Sequence, residues 1–174
     1  MQAARALLTK EGWDGLTIER VARAAGVGKS SVYRRWPNKT ALALDATVEP
    51  VLDLDAAVDI PQGLAELIES TARDFNRPDF RAALPGFVAE SLVSDQVNRT
   101  RLEPEVQLVA RLLAGPTGNP SETRAEAALL AELYLGGVLM RVLRGGTPTA
   151  EYRKRLRSFL LRGLGLAIEA DRND

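Results

Sequence analysis

Cysteine and histidine are both absent from the 174 residues. Their absence removes thiolate nucleophiles, imidazole bases, disulfide staples and the usual zinc ligand sets together. An enzyme built on this sequence would have to work with carboxylates, lysine, tyrosine or serine. No serine elbow, phosphate-binding glycine loop, metal-ligand spacing or paired-carboxylate motif organises those groups, so neither an enzymatic activity nor a cofactor is expected. Aromatic residues are few, with four Phe, three Tyr and two Trp. No apolar run alternates with period two, while Ala, Leu, Arg and Glu abound, so the expectation is an all-α chain. No stretch approaches the roughly 18 uninterrupted apolar residues of a membrane span, and the N-terminus lacks the apolar core of a signal peptide. A soluble, cytoplasmic protein with no membrane partner is expected, and the lack of Cys agrees with a reducing compartment.

Net charge is also lacking, with 23 basic and 23 acidic residues. Neutrality argues at first against nucleic acid, because phosphate neutralisation is the main source of that affinity. The charges are not evenly spread, however. From Met1 to Asp45 the basic residues are Arg5, Lys10, Arg20, Arg23, Lys29, Arg34, Arg35 and Lys39, against Glu11, Asp14, Glu19 and Asp45. Eight against four leaves +4 in the head and −4 in the remainder, an asymmetry that points to a DNA-binding end.

Helical spacing and stop signals divide the chain. Ala3, Ala6, Leu7 and Lys10 suggest a first helix from Gln2, with Gly12 as its stop. Thr17 is placed to cap a second helix whose inner stripe is Ile18, Val21, Ala22 and Ala25, and Gly26 can end it at positive φ. Arg20 stands where a capping box would have Glu, so only half of that device is expected. A short third helix runs from Lys29 to Trp36, stopped by Pro37, and Asn38 caps a fourth carrying Leu42, Leu44 and Val48 that breaks near Pro50. The acidic stretch from Val51 to Pro61 is expected to connect head and body. Beyond it the pattern predicts helices over 62–76, 79–94, 96–113, 121–143 and 149–170, two of them bent or split at Pro85 and Pro104. The division into domains is placed at 1–48 and 49–174.

The segment from Leu16 to Lys39, LTIERVARAAGVGKSSVYRRWPNK, is the most informative. It reads as an apolar-faced helix, a glycine turn, and a helix whose inner face is only Val32 and Trp36. Its outward positions, Lys29, Ser30, Ser31, Tyr33 and Arg34, are all hydrogen-bonding types that read base edges and phosphates. The alternative is a surface hairpin with solvated charges, belonging to a helical interaction protein that works without DNA. The stretch closely resembles the helix-turn-helix of the TetR and AcrR family of repressors: helix two from Thr17, the Ala25-Gly26-Val27 turn, then Ser-Val-Tyr-x-x-Trp and Pro-x-Lys. The similarity covers roughly Ala3 to Leu44, and the sequence starts almost inside helix one, ahead of which such chains usually carry a basic arm. It implies a three-helix DNA-binding head on a helical ligand-binding and dimerisation domain. Lys29 to Arg35 would then enter the major groove, with Lys29, Ser31 and Arg34 toward base edges and Thr17, Tyr33 and Lys39 on phosphates. A ligand-responsive repressor binding a palindromic operator in double-stranded DNA as a homodimer is the function implied.

In the body, Ala127 to Met140 carries Glu132 as its single charge, so that helix must be buried on several sides. Gly136 and Gly137 lie inside it at a cost of about 1 kcal/mol each relative to Ala, which suggests a close backbone crossing or space for a ligand. The last helix has Tyr152, Leu156, Phe159, Leu160, Gly163 and Ala167 on one side. With Leu133, Gly136 and Gly137, the residues Leu156, Phe159, Leu160 and Gly163 form the expected dimer interface. Phe75, Phe80, Leu84, Phe87, Leu92, Leu108, Val109, Leu112, Tyr134 and Met140 either fill the core or line a pocket for a small apolar effector. Glu90, set among apolar residues, either pairs with an arginine such as Arg111 or anchors that ligand.

Overall fold

The computed structural model describes residues 1–49, 54 and 58–166. Among these residues are nine α-helices, one π-helical turn and no strand. The helices are α1 (Gln2–Gly15), α2 (Ile18–Ala25), α3 (Lys29–Arg35), α4 (Lys39–Thr47), α5 (Ile60–Asn76), α6 (Pro78–Ser91), α7 (Glu103–Ala114), α8 (Arg124–Leu143) and α9 (Ala150–Gly163), with the π turn at Asn98–Leu102. The break expected near Pro50 and most of the expected connection from Val51 to Pro61 lie outside the described residues, as does Ala167. Two compact units emerge, Met1–Val51 with Asp74–Pro104, and Leu52–Arg73 with Glu105–Asp174.

Local chemistry sets the ends of the helices in the first unit. Gly12 takes φ 71° and kinks α1 where the stop was expected. Thr17 accepts the amide of Arg20 with its hydroxyl, Asn38 accepts that of Ala41, and Gly26 ends α2 in the left-handed region at φ 67°. The inner faces differ from expectation in two places. In α1 the buried pair is Ala4 and Leu8, while Ala6 and Lys10 are exposed. In α2 Ile18, Val21 and Ala22 are buried, and Ala25, the last residue of a helix only two turns long, is exposed.

Helix α6 lies along α1. A methyl group on Gly86 would come within 2.0 Å of the Trp13 indole, so only glycine permits this approach. Trp13, Phe87, Phe80 and Phe75 form a chain of ring contacts with centroid separations of 6.1, 6.0 and 5.0 Å. Each such pair contributes about 0.5–1.5 kcal/mol beyond burial. Charged groups tie the end of α4 to the α5–α6 turn: Arg77 hydrogen-bonds both oxygens of Asp79, at 3.2 and 2.8 Å, and Glu49 at 2.8 Å. Arg5 reaches Asp79 at 3.8 Å and Glu49 at 3.6 Å. Pro104 was expected to interrupt a helix, and the structure splits the segment just before it. The Glu103 amide bonds five residues back to Asn98, and Pro104 then sits in the first turn of α7, where no amide is needed.

In the second unit the core is built from Leu64, Leu67, Ile68, Leu108, Val109, Leu112, Leu130, Tyr134, Val138, Leu160 and Leu161. Gly137 lets α9 approach α8. Its carbonyl accepts the Tyr152 hydroxyl at 2.7 Å, and Leu156 lies against the position a Cβ would take. Gly136 faces open space. Of the two readings of this glycine pair, a close crossing fits Gly137.

Candidate nucleic-acid interface

Helix α3 has seven residues and buries one of them, Val32. Gly28 caps it without a side-chain bond. Its far end is fixed to α4 through the Trp36 indole N–H, which donates to Asp45 at 2.8 Å. Arg35, whose direction the sequence left open, stacks over the Trp36 ring at 4.7 Å and lies 3.8 Å from the Asp45 carboxylate, so it leans toward α4. Lys29, Ser30, Ser31, Tyr33 and Arg34 are exposed along one side of the short helix. Arg34 carries no ion pair among the described residues, which leaves its planar fork of donors open.

The flanking residues are positioned by contacts within the head. The Thr17 hydroxyl spends a lone pair on the Arg20 amide and keeps its own proton to donate. Lys39 is half-buried with its ammonium 4.2 Å above the Trp13 ring. Burial lowers its pKa from the ordinary lysine value, against a smaller opposing effect of Asp14.

Two residues that were expected only as features of the second helix organise this surface. Arg20 donates to the Gly15 carbonyl at 3.0 Å and pairs with Glu11, stapling the turn between α1 and α2. Glu19 on α2 forms an ion pair with Lys29 and accepts the Tyr33 hydroxyl at 3.4 Å. The Lys29 hydrogen bond is the main reason the Glu19 carboxyl lies below its ordinary range, and the same bond raises Lys29. The available signal was the ten-residue spacing of an acid in the first turn of α2 from the first cation of α3.

The residues expected to line an effector pocket are distributed over both units. Phe75, Phe80 and Phe87 are buried in the first, packed against one another, and Leu84 is half-buried. Leu92 is 81% exposed, so it lines no core there. Among the described residues Glu90 meets no arginine and instead accepts from the hydroxyls of Ser94, at 2.5 Å, and Thr40 of α4, at 3.4 Å. In the second unit Leu108, Val109, Leu112 and Tyr134 are buried, and the Tyr134 hydroxyl donates to the buried Glu105. Met140 is 55% exposed and falls on the same face of α8 as Leu129, Leu133 and Leu143, each about half-exposed or more. That spacing makes one continuous apolar stripe along the helix. On α9, Phe159 is exposed, with Gly163 one turn on, whereas Leu160 is buried within its own unit and so is no part of an exposed interface. A groove of about 310 Å³ along α4 is lined by Ala41, Leu44, Asp45, Val48, Glu49, Gln96 and Thr100, none of them among the expected pocket residues. Among the described residues no acidic cluster suited to a metal ion occurs, and no helix is long and apolar enough to cross a membrane.

Residues 1–46 match the family model described as bacterial regulatory proteins of the tetR family. The HTH-type transcriptional regulator Rv1556 of Mycobacterium tuberculosis is 47% identical over 45 residues, 26% of this chain and 22% of the relative. The HTH-type transcriptional regulator YdeS of Bacillus subtilis is 26% identical over 93 residues, 53% of this chain and 46% of the relative. The matches thus span between about a fifth and a half of the length of these curated relatives. A TetR transcriptional regulator from Rhodococcus sp. RHA1 aligns over 94% of both chains with a TM-score of 0.64 at 20% identity. The flavonoid-responsive regulator FrrA aligns over 93% of both with a TM-score of 0.53 at 21% identity. These two likenesses show a shared fold. The helix-turn-helix head thus matches the tetR family model over residues 1–46, and the chain shares the all-helical fold of these two structures.

Proposed function

We propose that the chain is a ligand-responsive transcriptional repressor that binds a palindromic operator as a homodimer, with α3 in the major groove. The observation that carries this reading is α3 itself, which buries only Val32 and holds five hydrogen-bonding side chains outward. Arg34 is suited to the paired acceptors of a guanine edge, and Ser30, Ser31 and Lys29 to neighbouring base edges. Thr17 and Lys39 flank the helix as donors to phosphate, which position the head without reading sequence, and the Tyr33 hydroxyl, donated to Glu19, would have to turn to join them.

Homodimer formation is supported by the stripe of Leu129, Leu133, Met140 and Leu143 on α8 with Phe159 on α9. A self-complementary face of this kind suits a two-fold axis, which would place two recognition helices on half-sites about one helical turn or a multiple apart. The effector is proposed to be small and largely apolar, like the residues expected to face it. FrrA is flavonoid-responsive, which supports a ligand-binding role for the same fold. The Glu90 bond to Thr40 supports a route to α4, since whatever draws Glu90 away frees that helix from it.

The test is retention on a mixed-sequence duplex at several salt concentrations, followed by selection of preferred sites from a random pool. Salt-dependent retention and recovery of a two-fold symmetric site are expected. A protein that ignores duplex DNA at low salt would instead be a helical interaction protein. For control, a ligand retained in native mass spectrometry should bind less tightly when operator is present, by the same factor that it weakens the operator, typically about 5- to 150-fold.

A further inference from the structure

A carboxylate on a surface that faces phosphates needs a reason, because it repels the polymer the surface binds. Glu19 is such a group: its side chain is 45% exposed, on the outer side of α2 beside the start of α3. It holds Lys29 in an ion pair and accepts the Tyr33 hydroxyl, while the Lys29 ammonium also lies 5.5 Å from the centre of the Tyr33 ring. The three side chains form one cluster at the N-terminal end of the recognition helix, joining the two helices of the motif from outside.

We infer that Glu19 is a specificity-determining residue, which cancels the charge of Lys29 toward phosphate and holds Lys29 and Tyr33 in fixed directions. This rests on the DNA-binding reading above. A lysine ammonium has three donors and no acceptor. With one donor committed to Glu19, Lys29 keeps two for a base-edge acceptor that lies where the tethered ammonium can reach it. Free of Glu19, the same flexible side chain would settle on any nearby phosphate and release a counterion whatever the sequence. Glu19 therefore lowers affinity for random DNA more than for the operator. The raised pKa of Lys29 and lowered pKa of Glu19 agree with a persistent pair.

The experiment compares the intact wild-type protein, Glu19→Gln, Lys29→Met and the double variant on a mixed-sequence 30-bp duplex and on a duplex recovered by selection. Glu19→Gln should bind the mixed-sequence duplex more tightly, with a salt slope steeper by about 0.9 for each Lys29 released. Its advantage should shrink about 3.5-fold per released Lys29 between 50 and 200 mM salt, since 4 raised to 0.9 is about 3.5. Its preference for the selected duplex should fall. The double variant, in which neither charge remains, should lose the gain of Glu19→Gln and return to the wild-type mixed-sequence slope. An unchanged slope in Glu19→Gln, or a double variant whose slope stays as steep as that of Glu19→Gln, overturns the inference while leaving the DNA-binding reading intact. Should Glu19→Gln fold poorly by circular dichroism, Glu19→Ser takes its place in the same comparison. A wild-type protein that binds neither duplex defeats the underlying reading instead.

Discussion

Replacing Arg77 by methionine removes the group that several carboxylates share. Asp79 and Asp74 are both buried, with side chains 10% and 4% exposed, and Arg77 is itself 21% exposed. The substitution leaves Asp79 with the Phe80 amide and with Arg5 at 3.8 Å, and it leaves Asp74 with Arg101 at 4.0 Å among its partners. Removing one partner of a buried ion pair costs about 3–5 kcal/mol, and these residual pairings favour the low end, about 3 kcal/mol. The pairing with Glu49, half-exposed, adds little. Asp79→Asn is milder: the amide still accepts from Arg77, Arg77 keeps Glu49 and Asp74, and the loss is one charge-assisted bond, about 1.5–3 kcal/mol. Urea unfolding followed by the fluorescence of Trp13 and Trp36, at one protein concentration, reads both. For m near 2 kcal/mol/M the Arg77→Met midpoint should fall by about 1.5 M.

The same pair sets a pH dependence. Burial is the largest influence on the Asp79 carboxyl and acts upward. The Arg77 hydrogen bond and charge, the Phe80 amide and Arg5 together outweigh it, so the net shift is downward. A depressed carboxyl contributes stability that is present above the unfolded value, about 3.9, and is lost as pH falls through the folded value. The stability gap between wild type and Asp79→Asn should therefore be constant from neutral pH down to about 5 and close below about 4. A gap as wide at pH 3 as at pH 7, or an Arg77→Met variant within about 0.5 kcal/mol of wild type, would refute the reasoning.

Arg34→Ala should cost about 1–3 kcal/mol on a selected operator and relax preference at one or two base pairs, as read by competition binding. Lys39→Ala should weaken all duplexes alike and reduce the salt slope by roughly 0.9 for each phosphate that the lysine neutralises. Phe159→Glu should shift the sedimentation coefficient to that of a monomer or cause aggregation, and specific affinity should collapse with it. Gly86→Ala should lower stability by about 1–3 kcal/mol in thermal unfolding, because the added methyl meets the Trp13 ring.

Signals confined to a few neighbouring residues were legible in the sequence. Thr17, Asn38 and Gly26 each announce a helix end through side-chain oxygen or backbone freedom and mark one in the structure, while Gly12, expected as a stop, kinks α1 instead. The register of α1 was not legible because Ala3, Ala4, Ala6, Leu7 and Leu8 are all apolar and two faces score alike; tertiary packing selects Ala4 and Leu8. The arginine alternative for Glu90 failed for a related reason. A carboxylate among apolar residues invites an arginine, yet hydroxyls of Ser94 and of Thr40, fifty residues away, satisfy it. The grouping of 74–104 with the N-terminal residues rests on long-range packing such as Gly86 on Trp13, which no periodicity encodes. Glu19 was visible only as an acid in the first turn of α2, and its hold on Lys29 and Tyr33 depends on how the glycine turn folds α3 back.

The central claim is that α3 and its flanking donors meet duplex DNA. The most direct measurement is the salt dependence of wild-type binding to a mixed-sequence 30-bp duplex between 50 and 200 mM. If the proposed homodimer sets Lys39 of each protomer on a phosphate, the plot of log K against log salt should have a slope of about −1.8 or steeper. A flat plot, or no retention at 50 mM, would contradict it.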